Sequence, residues 1–166
     1  MAIKTKIIGR EALQRRLDEL VPEAATAAAE AKLEVAQELA SRIASRAPVD
    51  SGDYKASIRG GRQADNPGIL PVGGKQSKDP DATAVYADFI WRFLEFGTAP
   101  HVIKGKNGGN VVFAGSDGGL VSVPSVAHPG SRAHPHVFYT WKALRKAAKA
   151  KISRAISKAV KASNKK

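Results

Sequence analysis

Glu95, four histidines and a lysine- and arginine-rich C-terminus are the groups in this sequence whose types could do chemistry. Glu95 stands between Leu94 and Phe96, and a carboxylate enclosed by apolar side chains needs a partner, because burying an unpaired charge is expensive. General acid–base work would also need a second acid or a histidine at fixed spacing, and none supports it. The expectation is a structural carboxylate, bonded to backbone amides or to an arginine of this or the next subunit. His101, His128, His134 and His136 raise the question of a metal. Their spacing matches no standard zinc pattern, so loop histidines bonded to backbone are expected, with no metal, cofactor or catalytic residue.

Other chemistries are excluded more simply. There is no cysteine, hence no disulfide, thiol nucleophile or thiolate metal site. The glycine-rich stretches 105–109 and 115–119 are not phosphate loops, since no Gly-Lys-Ser/Thr follows and no helix begins there. The start, Met1-Ala2-Ile3-Lys4, lacks the apolar stretch of a signal peptide, and no run of about 18 apolar residues could span a bilayer. A soluble cytosolic protein with no membrane partner is the default expectation.

The net charge of +12 comes from one place. From Trp141 to Lys166 there are ten Lys or Arg residues and no Asp or Glu, which leaves 17 basic against 15 acidic residues elsewhere. Such a segment is an interaction arm. Lys149, Lys151, Arg154 and Lys158 are the candidate contacts to DNA or to an acidic partner. No aromatic residue follows Trp141, so contact with DNA would be with the phosphate backbone and not with bases.

The elements that must carry these residues follow from periodicity. After an apolar-basic leader at 2–8 and Gly9, Leu13, Leu17 and Leu20 recur at helical spacing. Pro22 predicts a kink or restart, with a helix on to about Arg46 and an apolar stripe of Ala29, Leu33, Ala36, Ala40, Ile43 and Ala47. From Pro48 to Pro135 lie all but one of the prolines and all but one of the glycines. Strands are expected at 54–60, 69–72, 82–87, 101–103, 110–114 and 120–123, with a hairpin loop at 115–118 and loops at 73–80 and 104–109. Residues 88–96 could extend a strand or form a short helix. From His136 the helical period returns, with Val137, Trp141, Leu144, Ala148, Ile152, Ala155 and Ala159 in one stripe. The expected fold is α+β in one domain over 1–166: helical over 9–47, a β-rich region with a central antiparallel sheet over 48–135, a basic helix over 136–161 and a basic tail over 162–166.

Three motifs lie along this frame. Ala47-Pro48-Val49-Asp50-Ser51-Gly52, with Tyr54, Ser57 and Ile58 after it, makes a helix-to-strand turn: proline stops the helix, Asp50 and Ser51 can cap amides, and Gly52 permits positive φ. Tyr86-Ala87 then precedes Glu95-Phe96-Gly97-Thr98, in which Leu94 and Phe96 can bury. His128-Pro129-Gly130 leads to Pro135. In this order, over roughly residues 10–150, the motifs resemble those of a family of siphophage tail-completion proteins, a minor tail-component family. His136 intrudes where that family goes from proline straight to an apolar residue, and residues 85–93 are longer than its usual link.

What the resemblance implies is a non-enzymatic virion protein: a head–tail joining subunit in a ring, commonly of six copies, in the neck or upper tail. The ring would be assembled in the host cytoplasm, between head-closure proteins and the tail-terminator or tail-tube proteins, with genomic DNA passing through its lumen. Pro48, Asp50, Gly52, Ser57, Tyr86, Glu95, Phe96, Gly97, Thr98, His128, Pro129, Gly130 and Pro135 would then be structural motif positions. The residues alone leave two other readings: a soluble basic DNA-binding protein, and an enzyme with a histidine–metal centre.

Overall fold

A computed structural model describes the backbone of residues 10–163 and the side chains of 21–163. The leader at 2–8, Gly9, the leucine spacing at 13, 17 and 20, and the last residues of the basic tail at 164–166 lie outside the described residues. The fold is α+β. α1 (Arg10–Ala44) leads to a short helix α2 (Asp53–Ser57), and β1 (Arg59–Arg62) pairs with β2 (Thr83–Tyr86). α3 (Trp91–Phe96) is followed by β3 (His101–Lys104), β4 (Val111–Ala114), β5 (Leu120–Val123) and β6 (Ser125–His128), and α4 (Val137–Ser163) closes the chain.

α1 runs without a restart through Pro22, so its 35 residues extend about 52 Å. Proline cannot donate the backbone bond that a helix interior expects. Just after it, the Thr26 hydroxyl donates to the Pro22 carbonyl at 3.0 Å. Ala31, Ala36, Ala40 and Ile43 are buried, whereas Ala29 and Leu33 of the predicted stripe are only half-buried. The apolar face is broad because the helix is covered twice, by β1–β2 on one side and by α4 on the other. α4 packs on it with Val137, Leu144, Ala148 and Ile152, and its order against α1 is reversed: Trp141 lies near Leu39, and Lys151 reaches Glu34 and Glu38.

The core is small: Ala40, Ile43, Ala47, Tyr54, Ile58, Val85, Trp91 and Val137 form one cluster. Its tightest seam is backbone on backbone. A Cβ on Gly60 of β1 would run into the carbonyl of Ala36, so this glycine is what lets the ribbon lie flat on α1.

Three expectations need correcting. Residues 54–57 are the helix α2, entered through Gly52 at φ 95°, and extended backbone starts only at Arg59. Residues 69–72 form no strand; Val72 N–H makes one bond to the Val85 carbonyl, at 2.9 Å. The single central sheet is instead three separate antiparallel two-stranded ribbons, β1–β2, β3–β6 and β4–β5. β6 was not expected as a strand. It pairs with β3 in the register His101↔His128 to Lys104↔Ser125, and β4 pairs with β5 across a turn at 115–119, where a hairpin loop was expected at 115–118. With strands of only four residues and glycine-rich joints between them, no strand has the length to bridge one ribbon to the next. Among the described residues the 101–128 ribbon makes no substantial contact with any helix.

Candidate functional site: the hub at the start of the C-terminal helix

The three sequence motifs meet at the first turn of α4. The first turn of a helix leaves backbone N–H groups without intrahelical partners. Here Glu95 takes three of them: Oε2 accepts from His136 N and Val137 N at 2.8 Å each, and Oε1 accepts from Phe138 N at 3.0 Å. The carboxylate is 4% exposed and sits at the positive end of the helix dipole, which is why this charge can be buried. It comes from α3, more than forty residues back in the chain, so Glu95 caps a helix by tertiary contact. This is the structural carboxylate expected from the sequence, satisfied by amides and not by an arginine.

His136 is 2% exposed and joins the cap to the first motif. Its Nδ1 lies 2.6 Å from the His134 carbonyl, which can only accept, so Nδ1 carries a proton, and in the neutral ring Nε2 is the acceptor. The Tyr54 hydroxyl donates to that Nε2 at 2.6 Å. Burial, and secondarily the Glu95 charge, push the Tyr54 hydroxyl up to about 12. Thr140 completes the chain by donating to the His136 carbonyl at 2.6 Å. The residue that looked like an intrusion in the motif is therefore its central link. Its signals in the sequence were Thr140 one helical turn on and Tyr54 in the first motif, and neither shows contact without the fold.

The second and third motifs are laced together beside the cap. Thr98 N donates to the Ser131 carbonyl at 3.0 Å, Ser131 N returns the bond to the Thr98 carbonyl at 3.1 Å, and the two hydroxyls lie 3.1 Å apart. His134 N donates to the Leu94 carbonyl at 2.7 Å. Gly97 (φ 72°) and Gly130 (φ 86°) hold left-handed backbone at this seam, and a Cβ on either would strike the opposite strand, at the Ser131 and Thr98 carbonyls respectively. Those two glycines are needed for both reasons.

The remaining motif residues serve nearby or lie outside the hub. The Ser57 hydroxyl donates to the Tyr54 carbonyl at 2.7 Å and accepts from Asp88 N at 3.0 Å, tying α2 to the entry of α3. Pro48 and Pro135 both line a shallow pocket with Arg46, Arg132 and His134. Ser51 accepts weakly from Asp53 N at 3.4 Å, while Asp50 is exposed and caps nothing. Tyr86 is fully buried, and its hydroxyl has no partner among the described residues. His128 Nδ1 accepts from Gly130 N at 3.0 Å, making the turn around Pro129. Phe96, expected to bury, is 64% exposed; it leans on Trp91 and Phe138 with ring centroids 6.3 and 5.9 Å away.

The basic residues do not share one environment. Lys151 Nζ lies 3.2 Å from Glu34 and 3.4 Å from Glu38 of α1, and the hydrogen bond to Glu34 foremost holds its ammonium above the usual lysine range. Arg154 and Lys158 are exposed and line a shallow groove with Ser157 and Lys161; Lys149 is exposed on another side of α4. His101 Nδ1 donates to the Ala99 carbonyl at 2.9 Å, and its ring lies 5.0 Å from that of His128. Among the described residues no cluster of three metal-ligating side chains occurs, and no helix is long and apolar enough to cross a membrane.

These polar groups are consumed in holding elements together, and one comparison gives the class of protein they belong to, a structural protein of the phage tail. The family model described as "Bacteriophage HK97-gp10, putative tail-component" matches residues 11–97, just over half of the chain, from α1 through Gly97. The chain belongs to this family of bacteriophage tail components. The third motif and α4 lie beyond the matched span. No curated protein and no solved structure matches the chain.

Proposed function

We propose that this tail component is a tail-completion subunit, non-enzymatic, folded as one domain, and placed in the neck of the virion. Copies form a ring, commonly of six, between head-closure proteins and the tail-terminator or tail-tube proteins, and genomic DNA passes through the lumen. The observation that carries this reading is the 101–128 ribbon, which stands off the helices with Val102, Val112, Phe113 and Leu120 exposed on it. Exposed apolar side chains on a segment with so little backing from the helices suit a contact with another protein. The segment 102–119 is the contact with the next ring, and its glycine-rich joints let it order on docking.

The test is a phage lacking the chain. DNA-filled heads and finished tails that fail to join are expected, with joining restored by supplied protein. Heads joined to tails without it would overturn the reading. A second reading, a basic DNA-binding protein acting alone, is favoured by the exposed cations of α4. It predicts the chain free of particles and bound to DNA in infected cells.

A further inference from the structure

The cations of α4 divide into two faces with different surroundings. At about 100° of rotation per residue, Lys151, Arg154, Lys158 and Lys161 fall within about 80° of the helix circumference. Lys151 on that flank is anchored to Glu34 and Glu38, and Glu30 continues the same acidic row one helical turn further along α1. This flank lies on the side of the acidic row, and Lys151 is the one of its four cations with an ion pair among the described residues. Lys142, Arg145, Lys146 and Lys149, spaced i, i+3, i+4, i+7, fall within about 100° on the other flank. All four are exposed, and among the described residues none makes an ion pair or hydrogen bond.

We propose that Lys142, Arg145, Lys146 and Lys149 form a binding face for the phosphate backbone of duplex DNA. The proposal rests on the reading that DNA passes this subunit, and moves the contact away from Lys151, Arg154 and Lys158. The four cations span about 10 Å of helix, and that length of duplex carries about six phosphate charges. A second copy of the chain is a poorer occupant. Among the described residues its acidic row on α1 is already engaged by Lys151, and its exposed loop acids Asp50, Asp65, Asp81, Asp88 and Asp117 are scattered. Beyond Trp141 described α4 carries no aromatic, Asn or Gln side chain, so no ring on the face stacks on a base and no amide reads adenine, and the four cations engage the duplex through its phosphate charge.

The experiment is a salt titration of the purified full chain with a labelled 20-base-pair duplex of arbitrary sequence. Four phosphate contacts give a slope of log Kobs against log salt of about −3.6, roughly a hundredfold loss of affinity between 50 and 200 mM salt. The variant K142Q/R145Q/K146Q/K149Q, exposed glutamines being good helix formers, should keep its helical circular dichroism and lose most of that slope. The variant R154Q/K158Q should retain it. The proposal is overturned if the wild type does not bind at 50 mM salt, if the four-site variant keeps the slope, or if R154Q/K158Q loses as much. It is also overturned if poly-glutamate at equal charge displaces the duplex as well as unlabelled duplex does, which would mark an acidic protein as the partner. Native mass of the same preparations reads the ring separately: a ring without DNA binding removes only this face, and a monomer that binds through it removes only the ring.

Discussion

Glu95 Oε2 accepts the backbone N–H of His136 at 2.8 Å, so a residue of α3 caps the start of α4 from forty-one positions away. With the bonds from Val137 and Phe138, one carboxylate fixes where the last helix begins and which way it leaves the β-rich region.

Replacing Glu95 with alanine strands three amides in a nearly dry position. The expected loss is about 3 kcal/mol, seen as a fall in Tm of about 6–12 °C for a chain of this length. Glu95→Gln keeps one acceptor oxygen and should cost about half as much. Equal Tm for wild type and Glu95→Ala would show that the cap does not hold the helix.

How much of this could be read in the sequence depended on range. The long helices were legible because Ala36, Ala40 and Ile43, or Val137, Leu144 and Ala148, repeat at helical spacing, and the 115–119 turn because glycines bracket it. α2 was misread as strand because five residues are too few to show a period. β6 was missed because its partner His101 lies 27 residues before His128, and nothing local to Ser125–His128 announces that pairing. Glu95 was legible as structural from its neighbours, but its partners were not, since amides leave no mark in a sequence. His136 looked out of place for the same reason: its fit is set by Tyr54, 82 residues away.

The two buried tyrosines should respond unequally to loss of the hydroxyl. Tyr54→Phe leaves His136 Nε2 without its donor and should cost about 1–2 kcal/mol, whereas Tyr86→Phe removes a hydroxyl with no partner and should be close to neutral. Alkaline unfolding separates them further. Tyr54 holds its proton up to about 12 when folded, against about 10 in an unfolded chain, so the folded state binds the proton more tightly between these values. Its contribution is complete below pH 10 and is lost as pH rises from 10 to 12. Stability of the wild type minus that of Tyr54→Phe should fall across this window; a flat difference would contradict the assignment.

Gly60 is the glycine whose replacement should matter most in the core. A methyl group there meets the Ala36 backbone, which cannot move aside, so Gly60→Ala should cost about 1–3 kcal/mol. At the neighbouring Gly61 the nearest atom is the end of the Asn66 side chain at 3.1 Å, which can shift, and Gly61→Ala should cost less. Chemical denaturation of the pair checks the order, and a reversed order would place the seam elsewhere.

The central claim is that this chain closes into a ring at the junction of head and tail. A reconstruction of the neck of particles carrying it tests that most directly. The account predicts six copies of the 17.6 kDa chain, about 106 kDa, in one closed ring, with the 101–128 ribbon against the adjoining ring. Density for the chain along the tail tube or at the tail tip, or as isolated copies, would contradict it.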